Sequence, residues 1–430
     1  MQLPGTEIQS KATNTPFTQR DLETTVETTF DPYLRVAQLS LKKILFGVNA
    51  QTRVGLEVRQ LLQKEDIKTL LVTDPGIVKS GLSEKVAGVL KDSRINVQTF
   101  GEVEAEPTLR CVRQVTEIVR KQKFDAIVGL GGGSAMDVAK TASIMATNPG
   151  DAAEYFQFME DKVKNKPLTK ILISTTSGTG SEISFGVVAT DDNGFKNFIN
   201  SPLVQADVSI VDPLMTVSCP PRITAGCGMD AYAHLIETYV NFAATPLSDA
   251  FALHGIKLAT DNVRTAVYHG EDLTARHNMA IASTLGGLCT SIVTNNIGHC
   301  ISEGIGPMYK LHHGAANAIV LPYQLRFNIP AAMERVASLA PYVGIDSRGL
   351  TNREAAMKVA HAVRDLVADI GLPTSLKEAN VPREDIPKIA DRVMKLHDNY
   401  DLTHLNPMKV NMKNVTELVT DMWEGNLRLV

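Results

Sequence analysis

From residue 43 onwards, short runs of β-branched and other apolar residues alternate with amphipathic stretches of helical period. In one such stretch, Leu109, Val112, Val115 and Val119 fall on the same helical face. Strands that recur roughly every 30 residues, with helices between them, indicate right-handed βαβ units and a parallel sheet. The predicted strands cover residues 44–46, 69–73, 95–100, 126–130, 171–174 and 208–211.

After Pro220 and Pro221 the pattern changes to long stretches of helical period with few β-branched runs. A chain of 430 residues is also too long for a single hydrophobic core. We therefore predict three segments, which are a polar N-terminal extension over residues 1–40, an α/β domain with a parallel, Rossmann-like sheet over 41–220, and an all-helical domain over 221–430.

The composition is that of an ordinary soluble protein, with 44% hydrophobic and 21% charged residues. A net charge of −4 leaves no basic excess, so neither nucleic acid nor an anionic membrane is an expected partner. No apolar run is long enough for a transmembrane helix, and the N-terminus lacks a signal-peptide pattern. The five cysteines show no CxxC spacing, which favours reduced thiols and a cytoplasmic location.

A glycine-rich segment, Gly131, Gly132 and Gly133 followed by Ser134, joins a predicted strand to a helical stretch. Glycines at a helix N-terminus let backbone N–H groups approach an anion, which the helix dipole also favours. The register is not the dinucleotide fingerprint GxGxxG, because Ser134 takes the third glycine position, and it is not a Walker A loop. The segment is therefore either a phosphate site or a tight turn capped by Ser134.

A second polar loop, residues 175–182 with the sequence TTSGTGSE, follows the next predicted strand. It lacks the GxSxG pattern of a nucleophile elbow, and on its own it could be a solvated loop. Ligands of open α/β sheets bind at the carboxyl ends of the strands. Two such loops at adjacent strand ends therefore favour a pyrophosphate site.

Four candidate metal ligands lie in the helical half of the chain. Asp230 and His234 are spaced i, i+4, which places them on one helical face, although such a pair is more often a surface pair. His299 and His313 each lie beside a glycine, which loosens local packing around the ring. One aspartate with three histidines suits Fe²⁺ or Zn²⁺ with an open position for a substrate.

Taken together, these segments resemble the iron-containing (group III) alcohol dehydrogenase family. The motifs that carry the resemblance are 131–137 (GGGSAMD), 175–182 (TTSGTGSE), 228–237 (GMDAYAHLIE) and 313–318 (HGAANA). The resemblance implies an N-terminal nucleotide-binding domain and a C-terminal helical, metal-binding domain. As in dehydroquinate synthase-like folds, the active site is then expected in the cleft between the two domains.

The resemblance also implies roles for individual residues. The divalent metal would be held by Asp230, His234, His299 and His313. The cofactor would contact Asp74, Gly131, Gly132, Gly133, Ser134, Asp137, Thr175, Thr176, Thr179, Ser184 and Lys196. Within that set the glycines and Ser134 would hold the pyrophosphate, Asp137 would lie beside the nicotinamide end, and Lys196 would contact a ribose.

Asp74 follows a predicted strand at the place where the family has an acid near the adenosine ribose. A carboxylate there accepts the 2′-hydroxyl and repels a 2′-phosphate, which favours NAD over NADP. The alternative is that Asp74 simply starts the turn before Pro75. For the metal we expect Fe²⁺, with Zn²⁺ as the alternative, because imidazole and carboxylate suit both ions.

Two positions depart from the family pattern. Glu303 stands four residues after His299, where the family commonly has a further histidine that takes part in proton relay or substrate contact. On a helical turn Glu303 would share the face of His299 and act as a fifth metal ligand, a proton relay or a contact to a cationic substrate, unless it faces water. Met408 replaces the arginine of an Asn-Pro-Arg motif, which removes a guanidinium contact.

These features predict an NAD(P)-dependent and metal-dependent alcohol dehydrogenase or aldehyde reductase for a small alcohol or aldehyde, acting as a homodimer or higher homo-oligomer. One alternative is a transhydrogenase of the same family that retains its cofactor between two substrates. Another is a non-catalytic protein that binds nucleotide or metal. Further candidates for the pocket wall are Phe156, Phe185, Met279 and Leu288.

Overall fold

The computed structural model describes residues 39, 41–156, 162–191, 194–400 and 405–428, with the side chains of 397–400 left out. The predicted N-terminal extension therefore lies outside the described residues, apart from Leu39. Everything that follows on the fold and the site refers to the part of the chain within these ranges.

The N-terminal half contains the strands β1 Lys43–Phe46, β2 Lys68–Val72, β3 Asn96–Phe100, β4 Ala126–Gly131, β5 Thr169–Ser174, β6 Gly186–Thr190, β7 Lys196–Asn200 and β8 Val208–Val211. Six of them form a parallel sheet in the order β1-β8-β5-β4-β2-β3. The six predicted strands all occur, each within two residues of its predicted ends. The central strand β4 is buried along its whole length, because helices cover both faces of a parallel sheet.

Helices of the sheet region are α1 Val54–Leu62, α2 Pro75–Lys79, α3 Leu82–Asp92, α4 Leu109–Gln122 and α5 Gly133–Met145. The helical region contains α6 Pro221–Tyr239, α7 Pro246–Tyr268, α8 Leu273–Ile292, α9 Ile297–Tyr309, α10 His313–Ser338, α11 Asn352–Asp369, α12 Ile386–Tyr400 and α13 Met412–Glu424. The change from sheet to helices thus comes at Pro221, and the predicted fold class is confirmed. None of the described helices is both long and apolar enough to cross a membrane.

The strand order fixes where a ligand can bind. The chain runs outward from β2 to β3, returns to β4 beside β2, and then continues on the other side through β5 and β8. The reversal between β2 and β4 leaves a crevice at the carboxyl ends of these strands, which is where open α/β sheets bind ligands.

An antiparallel hairpin formed by β6 and β7 was absent from the predicted strands. Its first strand contacts α5, because the backbone N–H of Val188 donates to the Asp137 carboxylate at 2.9 Å. Lys196 is the first residue of the second strand. The hairpin thereby brings Lys196 from the sheet region towards the helical region.

Helix α6 is the central element of the helical region. Its residues from Thr224 to Tyr239 are all buried, whereas a helix at the surface would expose one face. Helices α7, α8 and α10 pack around it, and the resulting core includes Met229, Tyr232 and Ile236. Polar side chains on such a helix must find partners inside the protein or in a ligand.

Candidate active site

A cavity of about 920 Å³ lies between the carboxyl ends of the sheet strands and helices α6, α8, α9 and α10. Its wall includes Asp74, Gly132, Gly133, Ser134, Asp137, Thr175, Thr176, Thr179, Ser184, Lys196, Asp230, His234, His299, Glu303 and His313. Of the predicted site residues, Gly131 alone is missing from this wall. The predicted cofactor-binding residues and the predicted metal ligands thus lie around one cavity.

The prediction for the apolar pocket wall is mostly wrong. Phe185 lines the cavity, but Phe156, Met279 and Leu288 are buried elsewhere in the hydrophobic interior. Hydrophobicity alone cannot separate a cavity wall from a core, because both bury apolar side chains.

The glycine loop connects β4 to α5 and faces the cavity. Gly131 has a φ of +153°, and a Cβ at this position would lie 2.7 Å from the Cβ of Ala135, so a side chain cannot be accommodated. Gly132 is the N-cap of α5, and the hydroxyl of Ser134 donates to the Ala105 carbonyl at 2.6 Å. The alternative in which Ser134 caps the helix is therefore wrong, and the first turn presents backbone N–H groups without intrahelical partners.

Asp74 is the N-cap of α2, and its Oδ1 accepts hydrogen bonds from Gly76 N at 2.8 Å and Ile77 N at 3.1 Å. The turn before Pro75 that was the alternative explanation is therefore present. Asp74 nevertheless lines the cavity, and its Oδ2 lies 3.1 Å from the place where a Gly131 Cβ would stand. One carboxylate oxygen caps the helix, and the other lies beside the glycine loop.

Asp137 is buried at the sheet side of the cavity, and both of its oxygens are bonded within the protein. Ser181 donates to Oδ1 at 2.6 Å, and Val188 N donates to Oδ2 at 2.9 Å. Lys140, one turn later, is fully buried, and its Nζ donates to Ser181 Oγ at 2.7 Å and to the Gly186 carbonyl at 2.9 Å. This network joins α5, the loop after β5 and the β6–β7 hairpin into one frame.

Three of the four predicted metal ligands converge. One ligand atom from each of Asp230, His299 and His313 lies within 4.8 Å of the other two. Asp230 Oδ1 is 3.5 Å from His313 Nε2 and 3.8 Å from His299 Nε2. The His234 ring stacks on the His299 ring with 4.7 Å between centroids, and its Nδ1 has no partner among the described residues. His234 thus adjoins the cluster without completing it.

A close approach of two helices holds this cluster together. A Cβ at Gly314 on α10 would lie 1.9 Å from the carbonyl oxygen of Gly226 on α6, and 3.2 Å from the Cβ of Asp230. Any side chain at position 314 would therefore push the two helices apart. The glycine after His313 is explained by this contact, because it sets the distance between His313 and Asp230.

Glu237 contacts the Asp–His cluster on the side of His299 that faces away from Asp230. Its Oε1 accepts from His299 Nδ1 at 2.7 Å, and its Oε2 accepts from the backbone N–H groups of Asn296 and His299. Since a carboxylate only accepts, the proton of Nδ1 faces Glu237, and Nε2 is the nitrogen that faces Asp230 and His313. A carboxylate behind a histidine ligand is the usual support for a metal site.

Asn317, one turn after His313, contacts all three converging residues. Its Nδ2 donates to Asp230 Oδ1 at 2.7 Å and lies 3.1 Å from His299 Nε2 and 3.3 Å from His313 Nε2. Its Oδ1 is buried and has no partner in the described part of the chain. The amide therefore holds the ligand atoms near one point.

The ionisation of the cluster follows from burial and mutual contact. Burial acts to raise the pKa of Asp230, but the nearby His234, His313 and His299 outweigh burial and hold it well below its usual range. Burial lowers the pKa of His234 and, with help from Lys196, that of His313. Burial also acts to lower the pKa of His299, but Glu237 and Asp230 reverse this effect and raise it to about 10. A cation bound here would have to displace a proton from His299.

Glu303 is on α9, one turn after His299, and is only 6% exposed. It lines the cavity, and its Oε2 has no hydrogen-bond partner among the described residues. Burial raises the pKa of Glu303 to about 7, although Lys196 and His299 act to lower it. The Lys196 Nζ lies 3.4 Å from Glu106 Oε2 and 3.4 Å from His313 Nδ1. The alternative in which Glu303 faces water is therefore wrong.

Met408 lies outside the cavity wall, in a turn that packs against α10. Asn406 bonds both to Asn328 Oδ1 at 2.8 Å and to the Met408 carbonyl at 2.7 Å. The Asn-Pro-Met segment therefore keeps a defined turn through backbone and amide contacts alone.

Sequence reasoning assigned no role to three residues that shape the site, Lys140, Glu237 and Asn317. Two of them carry a signal in their spacing. Glu237 follows Asp230 by seven residues, and Asn317 follows His313 by four, so each shares a helical face with a predicted ligand. Lys140 carries no comparable signal, because its position three residues after Asp137 is also common on exposed helix surfaces.

Comparison with known proteins gives two family matches that together cover most of the chain. Residues 42–213 match the model described as iron-containing alcohol dehydrogenase, and residues 224–423 match the C-terminal part of the Fe-containing alcohol dehydrogenase family. The chain is 36% identical over 381 residues to the 1,3-propanediol dehydrogenase of Citrobacter freundii, covering 87% of this chain and 95% of that protein. It is also 36% identical over 376 residues to the choline dehydrogenase of Bacillus subtilis, covering 86% and 90%.

Solved structures with the same fold include a 1,3-propanediol oxidoreductase, with a TM-score of 0.85 and 34% identity over 90% of this chain and all of that one. A sulfoacetaldehyde reductase from Bifidobacterium kashiwanohense, solved in complex with NAD⁺, gives a TM-score of 0.80 and 28% identity. That alignment covers 90% of this chain and 99% of the reductase.

Proposed function

The chain belongs to the iron-containing alcohol dehydrogenase family, and from that premise we propose that it interconverts a small alcohol and its aldehyde with NAD(H) at an Fe²⁺ site. Membership makes it an oxidoreductase acting on CH–OH groups. The cofactor preference, the metal and the substrate are the parts that we propose. One observation carries the proposal, which is that the glycine loop and the Asp–His cluster line the same cavity.

The cofactor half of the proposal depends on the sheet side of the cavity. NAD⁺ would supply the acceptor for the hydride. The first-turn N–H groups of α5 after Gly132 suit its pyrophosphate, since they lack partners and lie at the positive end of the helix dipole. Asp74 and Glu102 line the same cavity, and their carboxylates would repel a 2′-phosphate, which favours NAD over NADP.

The metal half depends on the chemistry of the donors. Asp230, His299 and His313, whose ligand atoms converge, would hold the ion together with His234, whose ring stacks on His299 and lines the same cavity. When bound, a divalent cation would supply Lewis-acid polarisation of the substrate oxygen. Glu237 keeps Nε2 of His299 turned to the cluster, and Asn317 holds the carboxylate of Asp230. Zn²⁺ stays the alternative to Fe²⁺.

The names of the relatives leave the charge of the substrate open. They include a dehydrogenase of a neutral diol, one of cationic choline and a reductase of anionic sulfoacetaldehyde. We therefore propose a small alcohol or aldehyde as the substrate class. The expected homo-oligomer also stays a prediction.

The test is turnover by enzyme reconstituted with Fe²⁺ or Zn²⁺, using a panel of short alcohols and aldehydes with NAD(H) and NADP(H). We expect activity with Fe²⁺, a preference for NAD(H), and one NADH released per alcohol oxidised. Alcohol-dependent reduction of a second aldehyde without free NADH would instead identify the transhydrogenase. Tight NADH binding without turnover of any substrate would contradict the proposal and favour a non-catalytic protein.

A further inference from the structure

Glu303 presents an unsatisfied buried acceptor to the cavity. Glu303 belongs to the cavity wall and is 6% exposed, and its buried Oε2 has no hydrogen-bond partner among the described residues. A buried polar atom without a partner costs free energy, and a buried carboxylate costs more than a neutral group. Such an atom in a ligand cavity indicates that the ligand supplies the partner.

The first of the two lysines in the cavity wall is already engaged. Lys196 Nζ lies 3.4 Å from Glu106 Oε2 and 3.4 Å from His313 Nδ1. The other lysine of the wall, Lys79, is exposed on α2 beside Asp74 at the far, cofactor end. Neither lysine gives Oε2 of Glu303 a hydrogen bond.

A second acceptor faces the same cavity from the same side. Asn295, just before α9, lines the cavity, and its Oδ1 is buried without a partner in the described chain. Glu106, whose Oε2 lies 3.4 Å from Lys196 Nζ, adds negative charge to the cavity wall. This wall therefore offers acceptors and negative charge, and it suits a ligand that brings donors and positive charge.

Glu303 lies one helical turn from His299, and this spacing indicates how far its carboxylate is from the place where the substrate hydroxyl would react. Glu303 and His299 are four residues apart on one face of α9, so their Cβ atoms are about 5–6 Å apart. A substrate whose hydroxyl lies at the Asp–His cluster can reach Glu303 with a group a few bonds further along its chain. A small alcohol with a second functional group at the end of a short carbon chain fits this separation.

We propose that Glu303 binds an ammonium group of the substrate, so that the enzyme selects short amino alcohols and amino aldehydes over neutral or anionic ones. This proposal rests on the proposed dehydrogenase function and names its substrate class. An ammonium group provides both the missing donor and the compensating charge, and a charged hydrogen bond is about twice as strong as a neutral one. A hydroxyl would provide the donor alone, and a sulfonate or carboxylate would face repulsion.

The test uses three alcohols that have the same number of non-hydrogen atoms and differ only in the group at the far end. These are 1-butanol with a methyl group, 1,3-propanediol with a hydroxyl, and 3-amino-1-propanol with an ammonium at neutral pH. We measure kcat/KM for each with the Fe²⁺-loaded full-length enzyme and saturating NAD⁺. We expect the amino alcohol to exceed 1-butanol by at least about tenfold, a ratio that corresponds to about 1.4 kcal/mol.

Variants assign this preference to one side chain. In Glu303→Gln and in Glu303→His, which restores the residue common in the family, the ratio of amino alcohol to 1-butanol should fall at least tenfold. Glu104→Gln is the matched control, because it removes the same charge from a residue of the cavity wall that is bonded to Thr108 and Arg110. The control should keep the wild-type ratio. An unchanged ratio in Glu303→Gln, or an equal loss in the control, overturns the proposal.

Two further measurements separate the rival roles of Glu303. Metal content by elemental analysis should be the same in Glu303→Gln as in the wild type, and a clear loss would make Glu303 a metal ligand and overturn the proposal. A strong preference for 1,3-propanediol that disappears in Glu303→Gln would identify a hydroxyl contact and would overturn it as well.

A binding measurement tests this inference separately from the proposed function. We measure the Kd of 3-amino-1-propanol and of 1-butanol by calorimetry with the metal-loaded enzyme and NADH. Tighter binding of the amino alcohol that is lost in Glu303→Gln supports the inference even if no alcohol is turned over, and in that case only the proposed function fails. Equal Kd values for the two alcohols in the wild type overturn the inference, whatever the activity.

Discussion

The two sides of the cavity differ in how far their polar atoms are satisfied. On the sheet side, both oxygens of buried Asp137 accept hydrogen bonds, and buried Lys140 has several acceptors. On the helical side, His234 Nδ1, Asn317 Oδ1 and Glu303 Oε2 are buried without partners in the described chain. Two atoms of the loop after β5, Ser177 Oγ and Glu182 Oε2, are also buried without partners in the described chain, but neither residue lines the cavity. Asp137, which does line the cavity, is thus satisfied within the protein, whereas the helical side leaves three such atoms to its ligands.

This difference has a physical origin. Backbone N–H groups at a helix N-terminus can bind an anion without any side chain, so the frame can be fixed internally and still function. A metal site must present side-chain atoms with free lone pairs, and these atoms stay unsatisfied until the ion is present. Substitutions on the sheet side should therefore act mainly on stability, and substitutions on the helical side mainly on ligand binding and turnover.

The largest effect is expected for His299→Ala. Loss of a ligand atom should reduce turnover by more than the roughly 100-fold that loss of a supporting residue causes. Metal content, measured by elemental analysis, should fall with it. The control is His254→Ala, which removes an exposed histidine from α7. Full metal occupancy in His299→Ala would show that His299 is not a ligand.

The sheet side should respond differently to the loss of a buried charge. Lys140→Met removes the cation beside Asp137 and leaves that carboxylate buried with less compensation. Breaking such a pair should lower the free energy of unfolding by about 3 kcal/mol. Metal content should stay unchanged. Urea unfolding followed by fluorescence or circular dichroism measures the loss, with Lys166→Met, an exposed lysine, as the control.

A supporting residue of the helical side should have an intermediate effect. In Glu237→Gln the amide can still accept from one donor, but its NH₂ group then faces the backbone N–H groups that Glu237 Oε2 accepts from. Metal affinity should fall about 10- to 100-fold with a smaller change in unfolding free energy. Chelator competition measures the affinity, and exposed Glu334→Gln is the control. If the free energy of unfolding falls strongly while the metal affinity keeps its wild-type value, Glu237 acts on the stability of the fold and not on metal binding.

The same contrast explains what could be predicted from sequence. The strands and the glycine loop are contiguous segments, and their apolar runs and glycines can be recognised without knowledge of the rest of the chain. The predicted ligands Asp230, His299 and His313 come from separate helices, and their convergence follows from packing such as the contact of Gly314 with Gly226. The sequence therefore indicated the ligand types, but only the fold brings their atoms together.

Residues that support the site were harder to predict than residues that line it. Glu237 acts through His299, and Lys140 acts through Asp137, so neither needs a motif of its own. The β6–β7 hairpin was missed for a related reason. Its strands are five residues long, and β-propensity in such short segments depends strongly on packing against neighbours.

The smallest effect is expected for substitutions of Asp74, a residue of the sheet side that both stabilises the fold and faces the ligand cavity. Its Oδ1 belongs to the frame because it caps α2, and its Oδ2 faces the glycine loop at the cavity. Asp74→Asn should keep the cap, since asparagine caps helices as well as aspartate, while it removes the charge. Asp74→Ala should remove both.

We therefore expect both variants to raise the kcat/KM ratio of NADPH to NADH by about tenfold, which corresponds to about 1.4 kcal/mol. Only Asp74→Ala should also lose about 1 kcal/mol of unfolding free energy, because only it loses the cap. Asp66→Asn, at an exposed position before β2, is the charge-matched control. If Asp74→Asn leaves the cofactor ratio unchanged, or if the wild type already prefers NADPH, Asp74 is a helix cap alone. The sheet side would then bind its ligand through the backbone without a charged side chain that selects between the two cofactors.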